Sequence, residues 1–228
     1  MIHVQKIVKA FGRMRALDGV SFSIAQGQYV ALLGANGAGK TTLMHILATL
    51  SRPTAGHVEI AGYSSKKHPN SIRQRIGFIG HAGLLYDELT AEENLRFFSR
   101  MYGISDSESR IGQLLQEVGL LARRHDKVRT FSRGMHQRLS FARALLHYPP
   151  ILLLDEPFAG LDLNATVMVK NLLDKFIAEE KTVLLTVHDI DYALYNAKRI
   201  LVLNRGKLIV NKAANELRRD QLQKVLEA

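Results

Sequence analysis

Segments of strand length, made mostly of apolar residues, recur along the chain and are separated by turns or by stretches with helical spacing. Strands buried on both faces are predicted at 29–33, 76–80, 151–154 and 182–187. Helices are predicted at 41–50, 111–121, 135–146 and 165–179. Buried strands that alternate with helices are typical of a parallel sheet covered on both faces. The pattern therefore predicts an α/β fold around a mostly parallel sheet.

The first 60 residues and the middle of the chain depart from this alternation. The opening segment has shorter strands, which are predicted at 2–8, 19–24 and 57–60. From about residue 82 to residue 147 the apolar residues recur at helical spacing, and Thr90 with Glu93 fits a capping box at a helix start. We therefore predict one domain over 1–228 with an α-helical subdomain inserted at about 82–147.

The composition excludes several kinds of site. The chain has 228 residues and no cysteine, which excludes disulfide frameworks, thiolate metal sites and cysteine catalysis. We find no run near the ~20 apolar residues of a membrane span and no apolar segment typical of a signal peptide. An excess of 31 Lys and Arg over 21 Asp and Glu gives a net charge of +10. That charge suits nucleic acid, an anionic membrane or a nucleotide, and composition alone does not choose among them.

A glycine-rich segment follows the first buried strand and precedes a predicted helix. It fits the pattern Gly-x-x-x-x-Gly-Lys-Thr and reads Gly34-Ala35-Asn36-Gly37-Ala38-Gly39-Lys40-Thr41, followed by Thr42. Glycines let successive backbone N–H groups form an anion nest, and the helix adds its positive dipole end. Lys40 can reach the β- and γ-phosphates, Thr41 can ligate Mg²⁺ and Thr42 can contact the α-phosphate. The segment predicts a phosphate-binding loop of the P-loop NTPase type.

Polar side chains follow two further buried strands, where ligands bind in parallel sheets. Asp155 and Glu156 come directly after the strand at 151–154, and His188 follows the strand at 182–187. A carboxylate at a strand end can hold Mg²⁺, and a second one near the γ-phosphate can polarise the attacking water. His188 can donate a hydrogen bond to the γ-phosphate. An acidic helix start and a structural histidine are the alternatives.

The segment before this acidic strand carries a resemblance to a known family. It reads Phe131-Ser132-Arg133-Gly134-Met135-His136-Gln137-Arg138, and Gly160-Leu161-Asp162 follows the acidic pair. Taken in order with the phosphate loop and His188, these motifs resemble the ATP-binding-cassette (ABC) ATPases over essentially the whole chain. The resemblance implies a RecA-like P-loop NTPase core with an N-terminal antiparallel β subdomain and an inserted α-helical subdomain. It also implies a dimer of two ATPase subunits around two ATP molecules.

The resemblance also implies roles for single residues. Phe11 matches the aromatic residue that stacks on adenine. Ser132 and Gly134 match signature residues that contact the γ-phosphate held by the opposite subunit. Asp162 belongs to a turn that communicates between the two sites.

Further roles follow for the acidic pair and for two histidines. Asp155 corresponds to the Mg²⁺ carboxylate, Glu156 to the catalytic base and His188 to the switch histidine. His81 stands where the family usually has a glutamine that contacts Mg²⁺ and couples to the membrane partner. Imidazole is a poor Mg²⁺ ligand, and His81 can instead hydrogen-bond water or a helix of the partner.

The signature also departs from the usual Leu-Ser-Gly-Gly-Gln. The serine and the second glycine remain, while Arg133 adds a cation that would favour phosphate. The segments around His81 and Glu156 resemble the cytochrome-c maturation ATPase, or heme exporter. Polysaccharide and drug exporters share this type of signature and are the alternative.

The resemblance places the chain at the cytoplasmic face of the inner membrane, as a peripheral subunit bound to a transmembrane permease. Apolar residues after His81 are candidates for the permease contact: Leu84, Leu85, Tyr86, Phe97, Phe98, Met101 and Tyr102. The alternative is that they form the core of the helical insertion. We expect no nucleic acid partner, because ABC proteins that act on nucleic acid or ribosomes usually have two cassettes or a long insertion. A P-loop kinase has no need of the signature.

Overall fold

The computed structural model describes residues 1–80 and 83–227. Its strands are β1 (Ile2–Phe11), β2 (Met14–Ile24), β3 (Tyr29–Leu33), β4 (Ala55–Ile60), β5 (Tyr63–Ser64), β6 (Ile76–Ile79), β7 (Ile151–Asp155), β8 (Thr182–Thr186), β9 (Arg199–Asn204) and β10 (Lys207–Ala213). Its helices are α1 (Lys40–Leu47), α2 (Pro69–Arg73), α3 (Ala91–Tyr102), α4 (Ser107–Glu117), α5 (Arg133–Leu145), α6 (Leu163–Ala178), α7 (Ile190–Asn196) and α8 (Arg219–Glu227).

The central sheet has six strands in the order β10-β9-β3-β8-β7-β6. All neighbouring pairs are parallel except β9 and β10, which form an antiparallel hairpin at one edge. A second sheet, in the order β2-β1-β4-β5, is antiparallel. The predicted α/β fold, with a mostly parallel core sheet and an N-terminal antiparallel subdomain, is therefore confirmed.

Strand β3 shows why its sequence is apolar without alternation. Tyr29, Ala31 and Leu33 pack into a core shared with the helical insertion, whereas Val30 and Leu32 pack into a core shared with α1 and the antiparallel sheet. Both faces are covered, so all five residues are buried.

The helical segment between β6 and β7 contains α3, α4 and α5. The predicted capping box is present: the Thr90 hydroxyl accepts from the Glu93 amide at 3.1 Å, and the Glu93 carboxylate accepts from the Thr90 amide at 2.8 Å. Buried Asn94, one residue further, hydrogen-bonds both the amide and the carbonyl of Tyr86. Helix α3 thereby fixes the extended segment that leads into it.

Several predicted boundaries were wrong by two to four residues. The predicted helix 41–50 ends at Leu47, because the chain turns at Thr49, whose φ is +59°. The helix predicted at 111–121 spans Ser107–Glu117, and Gly119 follows with φ +64°. No helix in the described part of the chain is long and apolar enough to cross a membrane.

Candidate active site

The phosphate-binding loop connects β3 to α1 and is held by close backbone contacts. Gly39 has φ +106°, and a Cβ there would lie 2.5 Å from the Ala16 carbonyl oxygen. A Cβ at Gly34 would lie 2.5 Å from the Leu203 carbonyl oxygen. Both positions therefore require glycine for space as well as for conformation. Helix α1 begins at Lys40, so its first N–H groups border the cleft where a phosphate would bind.

Lys40 is buried, with 5% of its surface exposed, and its ammonium lies over the loop. It donates to the Gly34 carbonyl at 2.7 Å and to the Ala35 carbonyl at 3.1 Å. Burial lowers the pKa of Lys40, while the charges of Glu156 and Asp155 act in the opposite direction. The ammonium is thus a partly desolvated cation, which strengthens its attraction to a phosphate group.

Asp155 ends β7, and its carboxylate is buried at the carboxyl edge of the sheet. Its Oδ1 accepts a hydrogen bond of 2.7 Å from the Thr186 hydroxyl on β8, and its buried Oδ2 has no partner among the described residues. A buried carboxylate oxygen without a donor fits a hydrated divalent cation. The oxygen ligands that Mg²⁺ prefers are thus present in Asp155 and in Thr41, which lines the adjacent cleft.

Glu156 occupies a strained backbone position directly after β7. Its φ is +52°, in the left-handed region that non-glycine residues rarely adopt. Its amide donates to the Thr186 hydroxyl at 2.8 Å, and its Oε1 lies 2.8 Å from Nε2 of His188. Glu156 lines the cleft beside the phosphate-binding loop together with Lys40 and Thr41. Strain of this kind concentrates at functional sites.

The cleft beside the phosphate loop has a volume of about 360 Å³. Phe11, which is 52% exposed, lines this cleft, and Glu156 lines it as well. The sequence-predicted residues that line it are Phe11, Asn36, Gly37, Gly39, Lys40, Thr41, Thr42 and Glu156. His188 joins this group through its contact with Glu156.

Other predicted residues lie apart from this cleft. Ser132 is the N-cap of α5 and accepts from the Met135 amide at 3.3 Å, and Gly134 follows in the first turn. Asp162 is the N-cap of α6 and accepts from the Ala165 amide at 2.7 Å. Among the described residues, none of these three lines the cleft. His81 lies outside the described residues.

Thr186 was missed by sequence reasoning, although it organises both acidic residues. Its signal was a threonine at the end of an apolar strand, two residues before His188. Met14, Arg15 and Ala16, from the start of β2, also line the cleft and carried no motif.

Comparison with known proteins identifies the family. The family model described as "ABC transporter" matches residues 17–159. The ABC transporter ATP-binding protein NatA of Bacillus subtilis is 36% identical over 208 residues, which cover 90% of this chain and 84% of NatA. The daunorubicin resistance ATP-binding protein DrrA3 of Streptomyces coeruleorubidus is 36% identical over 95% of this chain and 69% of its own. The Nod factor export ATP-binding protein I of Paraburkholderia xenovorans is 34% identical, over 95% of this chain and 72% of that protein.

Solved structures agree with this result. The ATP-binding cassette MJ0796, in a dimeric post-hydrolysis state bound to ADP and Pi, superposes with a TM-score of 0.86 and 30% identity over 94% of this chain and 99% of that one. This chain therefore belongs to the ABC transporter family, and the prediction of an ABC-type ATPase is confirmed. The heme-exporter assignment finds no support in these relatives, whose names favour the alternative of another exporter.

Proposed function

We propose that the chain is the ATP-binding subunit of an ABC exporter for an organic molecule of the drug or signal-molecule type. The observation that carries the ATPase role is the convergence of Lys40, Asp155 and Glu156 at one sheet edge, beside a cleft bordered by Phe11. The substrate class rests on the relatives, which are named for daunorubicin resistance and Nod factor export. The permease and the membrane location belong to the same proposal.

In this proposal ATP is the substrate, and each residue of the cleft has one task. Phe11 stacks on the adenine ring, and Lys40 with the loop amides holds the phosphates. Glu156 accepts a proton from water as the water oxygen bonds to the γ-phosphorus. The bond from that phosphorus to the β,γ-bridging oxygen breaks, and ADP and phosphate leave. His188 holds the Glu156 carboxylate in place at 2.8 Å.

Asp155 and Thr41 would hold Mg²⁺, which when bound neutralises charge that develops on the phosphate oxygens. Thr186 fixes one Asp155 oxygen and leaves the other directed away from protein donors. A Mg²⁺ contact of His81 is not needed for this arrangement.

Ser132, Gly134 and Asp162 make no contribution to their own cleft, which supports a site shared between two copies. Ser132 and Gly134 are at the N-terminal end of α5, where N–H groups favour an anion. In a two-fold dimer this helix end of one copy would cover the phosphates bound by Lys40 of the other.

The predicted permease contact divides into two groups in the structure. Leu84, Tyr86, Phe97 and Met101 are exposed, whereas Leu85 and Phe98 pack on the core. Tyr102 stacks on His147 with ring centroids 3.8 Å apart. We propose the exposed group as the permease contact, with Tyr86 and Phe97 in edge-to-face contact at 4.9 Å.

Glu156→Gln tests the proposed base, with Glu180→Gln as a matched control. Glu180 is an exposed glutamate with a similar left-handed φ of +54°. We expect Glu156→Gln to lower ATP turnover by about a hundredfold or more and to accumulate a dimer in ATP, because binding persists without proton removal. The measurements are phosphate release and sedimentation. Wild-type turnover in Glu156→Gln would contradict the assignment.

The same two variants test the exporter role in cells. In a strain that lacks the chain, the Glu180→Gln variant should restore resistance to an exported drug, and Glu156→Gln should not. Loss of c-type cytochromes in that strain, with unchanged drug sensitivity, would instead return the assignment to heme export.

A further inference from the structure

Arg133 stands where the usual signature has a glycine, and the proposed mechanism gives it no role. It is the first residue of α5, directly after Ser132. Within residues 1–80 and 83–227 its guanidinium makes no hydrogen bond or ion pair. Among these residues the side chain of Arg133 therefore interacts by packing.

The side chain of Arg133 covers the open face of Gly160. A Cβ at Gly160 would lie 2.6 Å from Nε, 2.8 Å from Cζ and 2.9 Å from Cδ of Arg133. At these distances a Cβ and the end of the Arg133 side chain cannot both keep their positions, and because Arg133 is exposed, the arginine would be the group displaced from the contact. Gly160 also has φ +74°, which glycine adopts without strain.

Gly160 lies in the loop that runs from Glu156 to Asp162. The two end residues of this loop have different roles in the proposed function. Glu156 faces the nucleotide cleft of its own copy, and Asp162 caps α6. Turns at Glu156–Ala159 and Phe158–Leu161 are closed by backbone hydrogen bonds of 3.1 and 3.3 Å. The loop is therefore short and internally bonded, and Gly160 lies within its second turn.

Helix α5 holds this loop at a second point. One turn after Arg133, the Gln137 side chain donates to the Pro157 carbonyl at 3.1 Å. Both contacts join the helix that begins at the signature to the loop that follows the catalytic carboxylate, within one copy.

We propose that Arg133 is a positioning residue, which sets the Glu156–Asp162 loop by packing against Gly160. This inference rests on the proposed function. When α5 moves against phosphate bound by a second copy, the contact moves the loop that orients Glu156, and the two sites respond together. The alternative is that the Arg133 charge binds phosphate directly.

Three variants at residue 133 separate packing from charge. We expect Arg133→Ala to lower kcat about three- to tenfold with little change in KM for ATP, since it removes the contact without touching the nucleotide cleft. Arg133→Met keeps the length of the side chain without its charge and should retain nearly wild-type kcat. Arg133→Lys should do the same. Arg129→Ala is the matched control, because Arg129 is an exposed arginine four residues earlier, 3.6 Å from Glu88.

The Gly160 contact itself is tested by a double-mutant cycle. Gly160→Ala should lower kcat, and combining it with Arg133→Ala should lower kcat by less than the product of the two single effects, because the clash is then absent. Thermal unfolding of each variant shows that the fold is retained.

Two results would overturn the inference. One is an Arg133→Ala variant whose kcat equals that of Arg129→Ala. The other is an Arg133→Met variant that loses as much kcat as Arg133→Ala and has a raised KM, which would assign Arg133 to phosphate binding. Failure of the proposed function is recognised separately, by wild-type turnover in Glu156→Gln.

Discussion

The hydroxyl of Thr186 organises the acidic pair by using both of its hydrogen-bonding capacities. It donates to Asp155 Oδ1 at 2.7 Å and accepts from the Glu156 amide at 2.8 Å. The first bond orients the carboxylate that fits Mg²⁺. The second holds the strained turn at Glu156, whose φ of +52° requires support from its surroundings. One side chain on β8 thus fixes both Asp155, at the end of β7, and Glu156, directly after it.

Gly39→Ala should disable the phosphate loop. The new methyl group would lie 2.5 Å from the Ala16 carbonyl oxygen, and the residue would keep an unfavourable φ of +106°. We expect nucleotide affinity to fall at least about tenfold, because backbone N–H groups of the loop must shift away from the phosphates. Titration with a fluorescent ATP analogue measures this.

Gly62→Ala is the control for backbone strain. Gly62 has φ +82°, and a Cβ there has no atom within 4 Å among the described residues. The Gly62→Ala variant should lose some stability and keep the nucleotide affinity of the wild type. Equal affinity in Gly39→Ala and the wild type would show that the loop tolerates the displacement.

For single residues, the sequence predicted which residues belong to the candidate site better than it predicted which side chains are in contact. The phosphate loop and the acidic pair were predictable because their chemistry requires fixed residues at fixed spacing. Thr186 was not, because its role depends on β8 lying beside β7, a neighbour 31 residues earlier. Arg133 was interpreted through its charge, whereas its contact with Gly160 depends on tertiary packing.

Helix α3 is joined to the rest of the helical insertion by a buried carboxylate. Glu92 is 6% exposed and accepts from Arg124 at 2.6 Å and from Arg96 at 2.9 Å. Hydrogen bonding from Arg124 is the largest cause that lowers the pKa of Glu92. The Glu92 amide also donates to the Arg124 carbonyl at 3.0 Å. This cluster connects α3 to the segment that leads into the signature.

Glu92→Gln should destabilise the fold by about 2–3 kcal/mol, because two arginines lose a shared buried anion. Since the folded pKa lies below the ordinary value of 4.5, the stabilisation is present above that pH and is lost as the pH falls through the folded pKa. In the Glu92→Gln variant the free energy of unfolding should lack this part of its pH dependence, because glutamine does not titrate. Urea unfolding at pH 7 and at pH 4 measures both effects.

Glu108→Gln provides the matched control for the Glu92 cluster. Glu108 pairs with Arg96 at 2.8 Å, but its side chain is 58% exposed. We expect a loss of under about 1 kcal/mol, because exposed pairs contribute little. Equal losses in the two variants would show that burial of Glu92 contributes nothing.

Elements with strong patterns were predicted, and those that depend on neighbours were not. The buried strands β3, β6, β7 and β8 follow from their continuous apolar residues. The hairpin of β9 and β10 was missed. In β10 four of seven residues are exposed and the pattern is absent, whereas the continuous apolar run 200–203 of β9 is like that of the other buried strands and was overlooked. Helix ends were misplaced where one residue with positive φ, such as Thr49, stopped the helix early.

A single chain carries two separate groups of residues from the proposed site, and neither group forms a complete site by itself. Lys40 and Glu156 line the cleft and His188 contacts Glu156, while Ser132 and Gly134 lie apart from it at the start of α5. Completing the site by a second copy requires that each nucleotide contacts both chains.

Mixing two inactive variants tests this arrangement. Lys40→Ala and Ser132→Ala should each have low turnover as separate proteins. Their mixed dimer contains one site with both Lys40 and Ser132, so the mixture should regain about a quarter of wild-type turnover if chains pair at random and sites act independently. Phosphate release measures the recovery.

A mixture of Lys40→Ala with the double variant Lys40→Ala, Ser132→Ala is the control, because no pairing there restores Lys40. Recovery in the control alone, or in neither mixture, would contradict a signature that acts on the other copy's nucleotide.

The position of β8 in the sheet has a consequence for biosynthesis. Strand β8 is made late, yet it lies between β3 and β7 and pairs with both. A growing chain that has passed Glu156 and has not reached Thr182 already carries the phosphate loop and both carboxylates, but the strand that aligns them is still missing. The central sheet therefore closes only when most of the chain has left the ribosome. A chain interrupted between Glu156 and Thr182 therefore carries both acidic residues of the site and lacks Thr186 and His188, the side chains that hold them.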